Sequence, residues 1–87
     1  MAKIVRKSLA GTFESSDAFI MVAPADELTI EIHSTVKERF GEEIEKAVRE
    51  QLEECGVTAA FVKVQDRGAV DCVLKSRVEA AVKRAVE

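Results

Sequence analysis

Residues 28–33 alternate without a break: Leu28, Ile30 and Ile32 fall on one face of an extended strand, and Thr29, Glu31 and His33 on the other. The period then changes. Thr35-Val36-Lys37-Glu38 has the spacing of a capping box, in which Thr35 accepts from a free amide at the helix start and Glu38 reaches back to the Thr35 amide. Val36, Phe40, Ile44, Ala47, Val48 and Leu52 follow at intervals of three and four, which predicts a helix over 36–55 with Glu42, Glu43, Lys46, Arg49 and Glu50 on its far side. Gly41 costs about 1 kcal/mol against alanine inside that helix and marks a kink or a close approach to another element. Gly56 suits the left-handed residue after the last turn, with Val57 folding back. Residues 59–65 then read as a strand. A strand, a helix and a strand in this order form a right-handed crossover between parallel strands, so the chain must build a sheet with a helix over it.

The flanking segments have to complete that sheet. Leu9, Gly11 and Phe13 alternate with Ala10 and Thr12, with pairing expected to begin near Lys7, and residues 14–17 read as a turn. Residues 18–23 are apolar on both faces, which suits a strand covered on both sides or half covered by a partner protein. Pro24 pushes the residue before it away from helix and closes that strand. Asp66-Arg67-Gly68 reads as a turn. A second helix is predicted from Val70 or Asp71 to the end, with the stripe Leu74, Val78, Ala81, Val82 and Ala85. Asp71 in its first turn and Lys83 and Arg84 in its last suit the helix dipole. The rival reading makes residues 70–74 a strand hairpinned to 60–64.

The order is βββαβα. The expected fold is an α+β two-layer sandwich, a mixed four-stranded sheet with both helices on one face. The first three strands are expected as an antiparallel meander, and the fourth lies beside either the third or the first. At 87 residues the expectation is a single domain over 1–87.

Composition narrows function by exclusion. Formal net charge is −3, with no basic footprint for nucleic acid. No apolar run approaches the roughly 20 residues of a membrane span, and the basic start, 1–7, lacks the apolar stretch of a secretory signal. The expectation is a cytoplasmic protein with no membrane partner. With no Trp or Tyr, the core falls to Val, Ile, Leu, Ala and four Phe. Cys55 and Cys72 form no CxxC pair and are expected as small buried hydrophobes, not as a disulfide. The one histidine, His33, lies on the outward strand face and cannot supply a metal cluster. No metal site is expected, and no phosphate loop is present.

That leaves the turn. Glu14-Ser15-Ser16-Asp17 puts two serines between two carboxylates at a hairpin tip. No histidine is near in sequence to act as base, and an unactivated hydroxyl is a poor nucleophile at neutral pH, so no catalytic residue is expected here. Ser15 and Ser16 suit modification by another enzyme, or else form an ordinary polar turn. A group attached at such a tip would project into solvent from a firm base. Glu14 and Asp17 are expected to keep the tip hydrated and to leave an anionic arm free to swing.

Ala10-Gly11-Thr12-Phe13-Glu14-Ser15-Ser16-Asp17 resembles the A-G-T-[LF]-E-S-[SG]-D segment of the acyl carrier protein (gamma subunit) of citrate lyase. The similarity continues through Val36-Lys37-Glu38-Arg39-Phe40-Gly41. It returns in Asp66-Arg67-Gly68-Ala69-Val70-Asp71-Cys72-Val73-Leu74-Lys75-Ser76-Arg77-Val78-Glu79-Ala80, which looks like the family's D-[KR]-G-A-[LV]-[DE]-C-[VI]-L-[RK]-[AS]-R-[VL]-E-A run. Phe13 stands for the usual Leu and Ser76 for the usual Ala, and the chain lacks the short tail of some members.

The resemblance implies a non-catalytic carrier whose fold is not the helical one of fatty acid synthesis. In the family the serine after the Glu, Ser15 here, is joined by a phosphodiester to 2'-(5''-phosphoribosyl)-3'-dephospho-CoA. The arm's thiol carries acetyl and then citryl as thioesters. The implied partners are a holo-carrier synthase that loads the arm, an alpha subunit that exchanges acetyl for citryl, and a beta subunit that releases oxaloacetate with its own divalent metal. Two alternatives stay open: the related carrier of malonate decarboxylase, and a cofactor-free interaction domain docking through 18–23 with Ser15 unmodified or phosphorylated.

Overall fold

The strand and helix patterns form where they alternate most cleanly. In the structure, a computed structural model, the elements are β1 (Ser8–Gly11), β2 (Ala18–Ala23), β3 (Leu28–Ser34), α1 (Lys37–Glu54), β4 (Ala60–Asp66) and α2 (Asp71–Ala85). It describes residues 3–34 and 37–86, and of 37–40 the backbone alone. The capping box and the stripe positions Val36 and Phe40 therefore lie outside what is described. At its other end α1 closes as predicted. Gly56 has φ 77°, its amide donates to the Glu53 carbonyl at 3.0 Å and the Val57 amide to Leu52 at 2.9 Å. These are the two bonds of a Schellman motif, and Val57 folds into the core.

The sheet order is β1-β2-β4-β3. β1 pairs antiparallel with β2, β2 antiparallel with β4, and β3 parallel with β4. The parallel crossover from β3 to β4 is as read from the sequence. The meander is not: β4 inserts between β2 and β3, so it neighbours β3 and β2 and not β1. Burial accounts for this. Ile20, Val22, Val62 and Val64 are fully buried, so β2 and β4 take the two central places. β3 presents Thr29, Glu31 and His33 outward and takes an edge, where Leu28 and Ile30 are only half buried.

One face of the sheet carries Ala10, Ile20, Val22, Ile32, Val62 and Val64, and these join the helical stripes Ile44, Ala47, Val48, Leu52 and Leu74, Val78, Ala81, Val82, Ala85 in one core. α2 lies over β1 and β2, α1 over β3, and the helices pack on each other. The layering is the expected α+β sandwich. Residues 71–74 begin α2, so the rival strand reading does not hold. Cys72 is exposed and Cys55 half buried, both as free thiols, which corrects the expectation that both would be buried.

Candidate functional site

Six residues, 12–17, separate the two strands of the hairpin, and a glycine just before them and a serine among them fix the shape of the tip. Gly11 ends β1 with φ 93°. The Asp17 amide then donates to the Glu14 carbonyl at 3.2 Å, closing a four-residue turn. Ser16 occupies its third position with φ 64°, the one non-glycine residue with positive φ among those described. Ser15 takes the second position. Both serines are exposed, and no side-chain bond engages either hydroxyl among the described residues.

The turn is braced from outside the hairpin. The Ser16 amide donates to the Arg67 carbonyl at 2.8 Å, and the Arg67 amide donates to the Asp17 carbonyl at 2.9 Å. The Arg67 Nε donates to the Phe13 carbonyl at 3.2 Å. Arg67 itself is held by the buried Asp66, whose carboxylate accepts from the Ser34 hydroxyl at 2.9 Å and the Ala69 amide at 3.0 Å. The β4–α2 loop is thus clamped at its start and presents its backbone to the tip.

Asp17 is the centre of the brace. Its carboxylate accepts two bonds from Arg77, from Nε at 2.9 Å and Nη2 at 3.0 Å. It also accepts from the Thr12 hydroxyl at 2.7 Å and the Ala18 amide at 2.7 Å. The Asp17 side chain is only 13% exposed. The expectation that Asp17 would be a hydrated charge at the tip is therefore wrong: it points inward, and only Glu14 remains as a solvated carboxylate there. The Arg77 bonds, then the Thr12 and Ala18 bonds, hold the Asp17 carboxyl well below the usual carboxylate range, against a smaller opposing effect of burial. The Arg77 guanidinium is shifted upward by the same bonds.

The sign of the linkage follows. A carboxyl whose folded-state value is depressed contributes stability that is complete above the unfolded value of about 4 and is lost as pH falls toward the folded value. Asp17→Asn should thus destabilise the protein at pH 6, and the gap to wild type should close toward pH 3. The acid limb of wild-type stability should be steeper by up to about one proton. Denaturant midpoints across this pH range measure both, and a gap constant with pH would contradict the assignment.

Nothing in the spacing of Asp17 and Arg77, 60 residues apart, marks them as a pair. Arg77 flanks the α2 stripe beside Val78 and reads as an ordinary surface cation. In the sequence Thr12 reads as a strand residue and Asp66 and Arg67 as a turn, and they belong to two of the three segments that carry the resemblance; the structure brings those two segments into contact. His33 is exposed and faces Glu31. Among the described residues no three His, Cys, Asp or Glu side chains gather as metal ligands.

Fold and tip together define a small α+β unit that offers a hydroxyl with no side-chain bond among the described residues, on a braced hairpin. Residues 5–85 match the acyl carrier family described as "Malonate decarboxylase delta subunit (MdcD)". The citrate lyase acyl carrier protein of Haemophilus influenzae is 54% identical over 85 residues, covering 98% of this chain and 90% of that protein. That of Pectobacterium atrosepticum is 51% identical over 86 residues with the same coverage. A chain of a Pseudomonas malonate decarboxylase hetero-tetramer, solved in complex with malonate, superposes with a TM-score of 0.78 at 19% identity, over 98% of this chain and 92% of that one. That likeness shows the fold. The chain belongs to this acyl carrier family, and its similarity lies with the citrate lyase acyl carrier proteins.

Proposed function

We propose that this chain is the carrier subunit of a citrate lyase, and that Ser15 bears a phosphoribosyl-dephospho-CoA arm through a phosphodiester. The observation that carries the reading is the braced tip: an exposed, unbonded Ser15 hydroxyl on a turn held by Asp17, Arg67 and Arg77. The residues fit such a group. A phosphodiester at Ser15 Oγ would replace no hydrogen bond among the described residues, and the only carboxylate left in solvent beside it is Glu14. Ser16 is the weaker candidate, because its backbone amide is tied to Arg67 and its φ is fixed in the left-handed region.

When bound, the group supplies a thiol on which acyl groups travel as thioesters. The protein's part is positional. Tethering raises the effective concentration of the acyl group at each partner site. The brace keeps the arm's root at one place on the surface, so that the reach of the arm, and not wandering of the tip, sets which sites it visits. In this reading chain 1–87 acts as one carrier domain and is not itself an enzyme. Acyl exchange and cleavage fall to alpha and beta subunits, loading to a holo-carrier synthase, and the complex works in the cytoplasm. No described helix is long and apolar enough to cross a membrane. A malonate decarboxylase carrier is the second reading, favoured by the family description and by the solved hetero-tetramer chain.

Intact mass of the protein isolated from cells with active lyase tests the reading. We expect an adduct with the mass of the coenzyme A derivative, located by digestion to the peptide containing Ser15. A bare chain from such cells would overturn it.

A further inference from the structure

The helices cover one face of the sheet. The other face carries Leu9, Phe19, Met21 and Phe61, and among the described residues no element lies over it. Leu9 is 45% exposed and Phe13 51% exposed. The Phe13 ring reaches back from the tip and stacks on Phe19, with centroids 4.5 Å apart. Two hollows meet at this ring. One, of about 360 Å³, lies between Phe13, His33, Gln65 and Arg67. The other, of about 210 Å³, lies between Phe13, Leu9, Met21, Lys7 and Lys63. Phe13 and Gln65 line both. Sharing these two walls, they adjoin as one trough whose near end lies by β3, β4 and the loop after β4, and whose far end lies over β1, β2 and β4.

Its chemistry has a direction. The end by the tip has Arg67, whose Nε is used by Phe13 while its terminal nitrogens make no bond among the described residues. The middle is apolar. The far end has Lys7 and Lys63, neither in an ion pair among the described residues, although Glu31 stands opposite Lys63 on β3. Asp66 also lines the near end, with its carboxylate already engaged by Ser34 and Ala69. The chain is acidic overall, with net charge −3, and α1 carries many of its carboxylates, on the other side of the sheet. Cations at both ends of an apolar bed, on an acidic protein, suit a ligand that is anionic, then apolar, then anionic.

We propose that this trough is the resting site of the chain's own prosthetic arm. The phosphates would lie by Arg67, the uncharged pantetheine stretch on Phe13, Leu9 and Met21, and the carboxylates of a citryl group by Lys7 and Lys63. From Asp17 to Met21 is four residues of extended strand, roughly 13 Å, within reach of a nucleotide-plus-pantetheine arm rooted at Ser15. The arm then alternates between a docked and a free population, and the free fraction is what partner subunits capture. This rests on the carrier reading above and differs from the expectation of an arm that simply swings.

The sequence supplies a reporter. It has two methionines, Met1 and Met21, so protein labelled at methionine methyl carbons gives one internal methyl signal, in the trough. The samples are apo protein and protein loaded by its own synthase, the latter verified by mass. We expect the Met21 methyl resonance to move on loading by more than its linewidth, to move again on citryl loading, and to shift at least twofold less in Leu9→Ser and in Lys63→Gln. Both variants lie on the uncovered face, away from the core. An unchanged Met21 resonance in mass-verified loaded protein would overturn the resting site and leave the carrier reading intact. A shift that grows with protein concentration would also overturn it, by assigning the face to a second copy. Absence of any adduct in protein from active cells sinks the carrier reading itself.

Discussion

Ser15→Ala is expected to abolish loading altogether, so that the variant leaves loading-competent cells with the mass of the bare chain, while Ser16→Ala keeps the adduct. The two hydroxyls are adjacent and equally unbonded, and what separates them is the backbone beneath. Ser15 sits at the second position of the turn, where its own amide and carbonyl make no bond among the described residues. Ser16 sits at the third, with φ 64° and its amide donated to Arg67. A synthase that must bring the Ser15 oxygen onto its cofactor can close around the second position without breaking the Ser16–Arg67 bond. Serine already carries a Cβ in the left-handed region at this position, so alanine should change stability little there, and thermal melting checks the Ser16→Ala fold alongside. Loading retained in Ser15→Ala, or lost in a folded Ser16→Ala, would move the attachment point.

Gly11→Ala should cost far more stability than Gly68→Ala. Gly11 has φ 93°, and a Cβ built there would lie 1.8 Å from the Ala18 carbonyl oxygen and 2.9 Å from its carbon. Both are backbone atoms of the paired strand, so no rotamer change relieves the overlap. Backbone strain and overpacking together suggest about 3–5 kcal/mol, which for a domain of this size is a fall in Tm of roughly 15–30 °C. Gly68 is the control. It has nearly the same φ, 92°, but open space where its Cβ would go, so Gly68→Ala should lose only about 1–2 kcal/mol for the left-handed conformation. Equal melting temperatures for the two variants would show that the hairpin spreads to accommodate the methyl.

Much of this architecture can be read from local chemistry. The alternation at 28–33, the stripe from Leu74 to Ala85 and the glycine after α1 each fix an element through contacts within a few residues, and all three form as read. The strand order does not come from such signals. Whether β4 joins the edge or the centre depends on the total burial of β2 and β4 against β3, a comparison made across the whole sheet. The site divides the same way. An exposed serine pair between carboxylates is visible in four consecutive residues, but Asp17 changes from surface charge to buried acceptor only because α2 passes beside the hairpin and places Arg77 there. Pairs of that kind depend on tertiary proximity, and no spacing in the chain announces them.

The stitching between hairpin and last helix extends past the tip. The Ser8 hydroxyl donates to the Ala81 carbonyl, Arg84 to the Leu9 carbonyl at 2.7 Å, and Arg6 to the Val86 carbonyl at 2.6 Å. Both ends of the described chain are therefore sewn into one seam, with Arg77 and Asp17 as its final stitch. For anyone hoping to borrow this serine as a portable handle, the seam sets the minimum cargo. A peptide cut from the hairpin leaves behind the partners that give the turn its shape, so the transplantable unit is the described fold as a whole, inserted where the segments at Arg6 and Val86 can stay side by side.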